Sequence, residues 1–182
     1  MSTTITEGNL QFDFGDSWTV MKYDGTGGYY RTKVQTHLEG TKAVDFLGLQ
    51  GSRPLVLLEV KDFRVGVPGN VKMKGLTKRV AEKARDTLAG ILGGAHCSSP
   101  GEKSKFSRFL RVASSAGHPP RIIFLFEDLA TPRRQDPRKS KQKRDTLLKE
   151  LKKMCGWITR DVAVVGLDDY ADCLKGLTVR NR

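Results

Sequence analysis

The chain has 182 residues and carries 32 Lys and Arg against 20 Asp and Glu, a formal net charge of +12 at pH 7. This length suits one domain with its own core. No apolar run is long enough to span a membrane, and residues 1–11 lack the basic and apolar regions of a signal peptide, so we expect a cytoplasmic protein without a membrane partner. The positive charge favours nucleic acid as the partner; a basic protein without a polyanionic partner is the alternative.

The apolar pattern predicts an α/β fold in which residues 17–166 form the core of a single domain. Weak alternation within residues 1–16 indicates an edge strand or an ordered arm, and the pattern of residues 29–38 favours neither a strand nor a helix. The other predicted elements, in chain order, are strands at 17–24, 43–49 and 55–63, a helix at 76–92 ended by Gly93 and Gly94, a loop at 95–105, a short helix at 106–113, a strand at 121–126, a helix at 145–155, a strand at 162–165 and a short helix at 167–174.

Three charged residues lie on two neighbouring predicted strands, Asp45 on the first and Glu59 and Lys61 on the second. Gly51 and Ser52 mark a turn that folds these strands into a hairpin. Because side chains alternate along a strand, Glu59 and Lys61 share one face, and the hairpin brings Asp45 beside it. Charges in an apolar sheet must be paired or must bind a metal.

An ordinary ion-pair face on a solvated edge is the alternative for Glu59 and Lys61. The run before Glu59, Leu-Val-Leu-Leu at 55–58, is apolar on both faces. Such a run is typical of a strand that is covered on both sides, and this favours a buried site.

Asp45, followed fourteen residues later by Glu59-Val60-Lys61, resembles the PD-(D/E)XK nuclease superfamily, although Val44 stands where the name-giving proline would be. The predicted order of strands and helices also matches the superfamily core. The resemblance implies a restriction-endonuclease-like fold, an α/β fold with a mixed central sheet flanked by helices. It implies a metal-dependent nuclease that hydrolyses DNA phosphodiester bonds. A catalytically silent nucleic-acid-binding or subunit protein of the same fold is the alternative.

The resemblance further implies that Asp45, Glu59 and the backbone carbonyl of Val60 bind Mg²⁺, for which Mn²⁺ could substitute. Hard oxygen ligands suit Mg²⁺, which activates the attacking water and neutralises charge on the phosphate. Lys61 would lie beside that water as the third catalytic residue. It would orient the water, hold a phosphate oxygen, or act as a base if burial lowers its pKa.

Other charged residues are candidates for completing the site. Asp24 and Glu39 are candidate ligands, each with a solvated loop acid as the alternative. Lys83 and Arg85 are candidates for facing the substrate from the 76–92 helix, with a solvated helix face as the alternative. The three cysteines and three histidines show no ligand spacing, so the sequence predicts neither a disulfide framework nor a zinc site.

Residues 131–153 carry ten Lys and Arg against three acids. Their first half is predicted to be a basic loop at about 131–144 that contacts phosphates without reading bases; a solvated charged loop is the alternative. DNA is the expected ligand and RNA stays open. The small size predicts limited sequence specificity or a partner protein that supplies targeting, and a homodimer is the alternative assembly. The predicted nucleic-acid contacts are Arg133, Arg134, Arg138, Lys139, Lys141, Lys143 and Arg144.

Overall fold

A five-stranded mixed sheet forms the centre of the protein, in a computed structural model that describes residues 2–51, 53–64, 75–128 and 137–182. The first three strands are antiparallel and the last three are parallel. The predicted hairpin is confirmed, with Phe46 opposite Leu58 and Gly48 opposite Val56. In spatial order the strands are β3 (Trp18–Lys22), β4 (Phe46–Gln50), β5 (Val56–Asp62), β6 (Arg121–Glu127) and β7 (Val162–Val165).

A second, three-stranded antiparallel sheet lies outside the predicted core. Its order is β1 (Thr3–Glu7), β2 (Leu10–Phe14) and β8 (Leu177–Asn181). The predicted edge strand or arm at 1–16 is thus a pair of strands joined by a two-residue turn, in which Glu7 pairs with Leu10 and Gly8 has a φ of 56°. β8 was not predicted, because its residues after Leu177 are mostly exposed and polar.

The helices are α1 (Gln35–His37), which follows a π-helical turn at Tyr30–Val34, then α2 (Leu76–Cys97), α3 (Pro100–Ala113), α4 (Pro137–Cys155) and α5 (Tyr170–Cys173). The ambiguous segment 29–38 is therefore helical. Within the described ranges, no helix is both long and apolar enough to cross a membrane.

Both faces of the central sheet are covered, which explains its uninterrupted apolar strands. Leu55 and Leu57 of the hairpin pack in the cluster formed with α2, α3 and α4. Their neighbours Val56 and Leu58 pack with residues of the small sheet, such as Phe12. The α/β class with a mixed sheet and helices is confirmed, but one face of the sheet is covered largely by strands rather than by helices.

Two predictions about the helices are wrong, the first because glycines serve packing here. Gly93 and Gly94 do not end α2, which continues to Cys97. A Cβ on Gly94 would lie 2.7 Å from the ring of Phe106 in α3, and one on Gly93 would lie 2.8 Å from the hydroxyl of Tyr29. The predicted loop at 95–105 is also mostly helical, because α3 begins at Pro100, and proline suits the first turn of a helix.

The closest of these approaches, at Gly90 in α2, gives a stability prediction. A Cβ at Gly90 would overlap the hydroxyl oxygen of Tyr23, whose ring packs against Tyr30 and Phe106. We expect Gly90→Ala to lower the free energy of unfolding by about 1–3 kcal/mol through overpacking, despite the better helix propensity of alanine. Urea denaturation measures this change. The control is Gly101→Ala in α3, where the new Cβ meets nothing within 4 Å; equal stability of the two variants would contradict the prediction.

The predicted basic loop at 131–144 is wrong for its second half. Helix α4 begins at Pro137 rather than at residue 145, so residues 137–144 are helical. The buried side chains of Leu147, Leu151 and Cys155 hold the later turns of α4 against the core. Arg133 and Arg134 lie outside the described residues.

Candidate active site

Two carboxylates are buried where the β4–β5 hairpin meets α2. Asp45, which immediately precedes β4, is 2% exposed, and Glu59 in β5 is 1% exposed. The backbone N–H of Val60 donates a hydrogen bond of 2.6 Å to Asp45 Oδ2, which fixes the Asp45 side chain against β5. The two acids that the sequence pattern singles out therefore lie together.

Two lysines neutralise this pair. Lys61 Nζ lies 2.6 Å from Glu59 Oε1 and donates a 2.9 Å hydrogen bond to the carbonyl of Val60. Lys83 Nζ, from α2, lies 2.8 Å from each carboxylate oxygen of Glu59 and 3.6 Å from Asp45 Oδ1. Of the two helix candidates, Lys83 thus belongs to the site.

Arg85, the other helix candidate, lies on a different face of α2. Its side chain is 57% exposed and pairs with Asp86 at 2.7 Å. The alternative of a solvated helix face therefore describes Arg85.

A second carboxylate group adjoins Asp45. Oxygen atoms of Glu7, Asp24 and Asp45 lie within 4.8 Å of one another. Asp24 Oδ1 is buried and has no hydrogen-bond donor among the described residues. Asp24, one of the two candidate ligands, is therefore near the predicted site, whereas Glu39 is exposed. The sequence analysis did not select Glu7, which comes from the small sheet.

Burial and neighbouring charges shift the pKa values of Glu59, Asp24 and Lys61. Burial, with a contribution from Asp45, raises the pKa of Glu59 to about 7 against the opposing effect of Lys61 and Lys83. Burial, together with Asp45 and Glu7, raises the pKa of Asp24 to about 6. Burial alone would lower the pKa of Lys61, but the carboxylates of Glu59 and Asp45 outweigh it and raise that pKa. The region therefore favours an added cation.

This donor set fits a hard divalent cation. Glu7, Asp24 and Asp45 offer carboxylate oxygens close together, and the unpartnered oxygen of Asp24 is a ready ligand atom. Mg²⁺ accepts such oxygens and keeps several waters. The expected ligands Glu59 and Val60 are also occupied, because the Glu59 oxygens pair with ammonium groups and the Val60 carbonyl accepts a hydrogen bond from Lys61. Glu7 likewise pairs with Lys22, at 2.8 Å, so Asp24 offers the unpartnered oxygen of the first three.

The predicted phosphate-contacting residues within the described ranges lie at the start of α4 and fall into two groups. Arg138, Lys139 and Lys141 are exposed to solvent. In the parallel pairing of β5 and β6, Asp62 is opposite Glu127, so both strands end at one sheet edge. The exposed group lies on α4, the helix that follows β6 in the chain. β6 ends at the same sheet edge as β5, the strand that carries Lys61.

The second group, Lys143 and Arg144, anchors α4. Lys143 pairs with Asp128, the residue after β6. The Arg144 guanidinium, 11% exposed, pairs with Asp168 at 3.2 Å and Asp169 at 3.1 Å, in the turn before α5. These two side chains are held by acids of the protein itself, which supports a structural role for both.

The chain is similar to the cysteine–tRNA ligase of Neisseria meningitidis serogroup A over part of its length. The two are 32% identical over 133 residues, which cover 58% of this chain and 19% of the ligase. The chain thus spans less than a fifth of the relative it matches. No protein-family description matches the chain, and no solved structure does.

Proposed function

We propose that the protein is a metal-dependent nuclease of the PD-(D/E)XK type, with a restriction-endonuclease-like fold, that hydrolyses DNA phosphodiester bonds. The observation that carries the proposal is the burial of Asp45 and Glu59, at 2% and 1% exposure, beside Lys61 on one strand hairpin. Buried carboxylates are costly unless paired or bound to metal. The antiparallel β3–β4–β5 unit, followed by α2 and the parallel strand β6, supports the fold assignment.

In this proposal the carboxylates bind the metal and Lys61 contacts the substrate. Asp45, Asp24 and Glu7 would hold Mg²⁺ or Mn²⁺, with Glu59 and the Val60 carbonyl joining once the lysines release them. The bound metal would supply an activated water and neutralise charge on the phosphate. Lys61 has three ammonium protons, of which the Val60 carbonyl accepts one, and the ammonium lies 2.6 Å from Glu59 Oε1. A remaining proton can reach a phosphate oxygen or the attacking water.

The direct test is to incubate the purified protein with supercoiled plasmid, linear duplex, single-stranded DNA and RNA, each with Mg²⁺, Mn²⁺ or EDTA. We expect DNA cleavage with either metal and none in EDTA. Nicking of closed plasmid would identify an endonuclease. Cleavage of RNA alone would mean that RNA rather than DNA is the substrate. If every substrate stays intact with both metals, the proposed nuclease activity is wrong.

A second candidate, a catalytically silent nucleic-acid-binding or subunit protein, is favoured by one observation. Lys61 and Lys83 already pair with Glu59, so two ammonium groups match the two charges of Asp45 and Glu59 without a metal. DNA binding that does not depend on metal, with no cleavage in the same samples, would select this candidate.

The exposed group on α4 gives a prediction about DNA affinity. We expect replacement of Arg138, Lys139 and Lys141 with Gln to weaken binding equally for unrelated DNA sequences. It should flatten the slope of log K against log salt by roughly 2 to 3, because each lost phosphate contact on duplex DNA contributes about 0.9. Fluorescence anisotropy across a salt series measures the slope.

The matched control for this charge change lies on α3. Replacement of the exposed Lys103, Lys105 and Arg111 with Gln removes the same charge and should change the slope much less. Equal slopes for the two triple variants would assign DNA binding to overall charge rather than to α4.

A further inference from the structure

We propose that Lys83 is an internal counterion that stands in for the metal between Asp45 and Glu59 and thereby sets the metal affinity of the site. The inference rests on the proposed function, because it concerns the cation of the same site. It adds a positioning residue from α2 to the three residues of the sequence pattern.

The geometry of Lys83 is that of a bridging cation. Its Nζ is equidistant from the two Glu59 oxygens, at 2.8 Å each, and lies 3.6 Å from Asp45 Oδ1. The Lys83 side chain is only 19% exposed. An ammonium that contacts both oxygens of one carboxylate and faces a second carboxylate supplies the positive charge that a bound cation would supply there.

This arrangement makes the lysine and the metal competitors. Glu59 can offer Oε2 to a metal only when Lys83 gives up its hydrogen bond to that oxygen, and hydrogen bonds between charged groups are the strong ones. Without Lys83, Lys61 alone would face two buried carboxylates, and an uncompensated buried charge is strongly destabilising. Lys83 therefore stabilises the metal-free protein and weakens its metal binding.

Lys78, another lysine of α2, differs from Lys83 in its exposure and in its ion-pair partners. Lys78 is 71% exposed and, within the described ranges, forms an ion pair with Glu82 alone, at 3.9 Å. Replacing it removes the same side chain and the same charge from the same helix, but leaves Asp45 and Glu59 paired. Lys78 therefore separates an effect of position from an effect of net charge.

The test is calorimetric titration with Mn²⁺ of the wild type, Lys83→Met and Lys78→Met, with thermal unfolding in EDTA and in saturating Mn²⁺. We expect Lys83→Met to bind Mn²⁺ at least about tenfold more tightly than the wild type, since charge-assisted bonds no longer oppose binding. It should unfold at a lower temperature in EDTA and recover in Mn²⁺. Lys78→Met should match the wild type in both measurements.

A purely structural role for Lys83 would lower stability in both conditions without tightening metal binding. Unchanged or weaker Mn²⁺ affinity in Lys83→Met, with a wild type that binds, would overturn this inference and leave the proposed metal site intact. Absence of binding in both proteins would overturn both proposals. If Lys83→Met does not fold in EDTA, Lys83→Gln, which keeps a hydrogen-bond donor, takes its place in the same titration.

Discussion

Asp45→Asn and Glu59→Gln are each expected to lower the single-turnover rate of Mg²⁺-dependent DNA cleavage by about a thousandfold or more. Metal-ion stabilisation of the transition state is worth several kcal/mol, and each 1.36 kcal/mol is tenfold in rate. Both amides keep the shape of the acid, and the amide oxygen in Asp45→Asn would still accept the hydrogen bond that Val60 donates to Asp45. Circular dichroism should therefore show an intact fold.

The control for this experiment is Asp62→Asn on the same strand. The Asp62 carboxylate is also mostly buried, but it pairs with Arg64 at 2.8 Å. We expect this variant to cleave at close to the wild-type rate. Cleavage at that rate by Asp45→Asn or Glu59→Gln would remove these residues from the active site.

Lys61→Met is expected to lose most of the cleavage activity, by roughly a hundredfold to a thousandfold, without any loss of affinity for metal. An ammonium is not a metal ligand, so its loss removes stabilisation of the phosphate rather than of the ion. Lys83 still pairs with Glu59 in this variant, so the carboxylate keeps a buried partner.

Mn²⁺ calorimetry and single-turnover cleavage of the same Lys61→Met sample separate the two effects. Lys78→Met is again the control for the loss of one lysine. If Lys61→Met lost metal affinity as strongly as Asp45→Asn, Lys61 would act by holding the ligands in place rather than by contacting the substrate.

The hairpin and its acidic pair could be predicted because their signal is local. The period of two along β5 places Glu59 and Lys61 on one face, and the turn after Gln50 sets Asp45 beside them. Apolar residues on both faces of β5 also predicted a covered strand, as observed. These features depend on neighbouring residues alone, so a single sequence contains them.

The other members of the site depend on packing between distant segments. Glu7 lies on β1, whose exposed Thr-rich pattern resembles that of a surface strand. On α2, the helical period places Lys83 beside the apolar stripe and Lys78 opposite it, but only the packing of the helix on the sheet gives Lys83 two buried partners. The prediction that Gly93 and Gly94 end α2 failed for the same reason, because the contacts that require small residues there come from α3 and Tyr29.

The turn between β1 and β2 determines which acids the site contains. Gly8 adopts a φ of 56° although a Cβ there would meet nothing, so its conformation, rather than space, calls for glycine. Its two-residue turn fixes Glu7 opposite Leu10. A slip of one residue would turn every side chain of β1 to the other side of its sheet, and Glu7 would leave Asp24 and Asp45. A solvent-facing glycine with no chemistry of its own thus selects the number of carboxylates available to a cation.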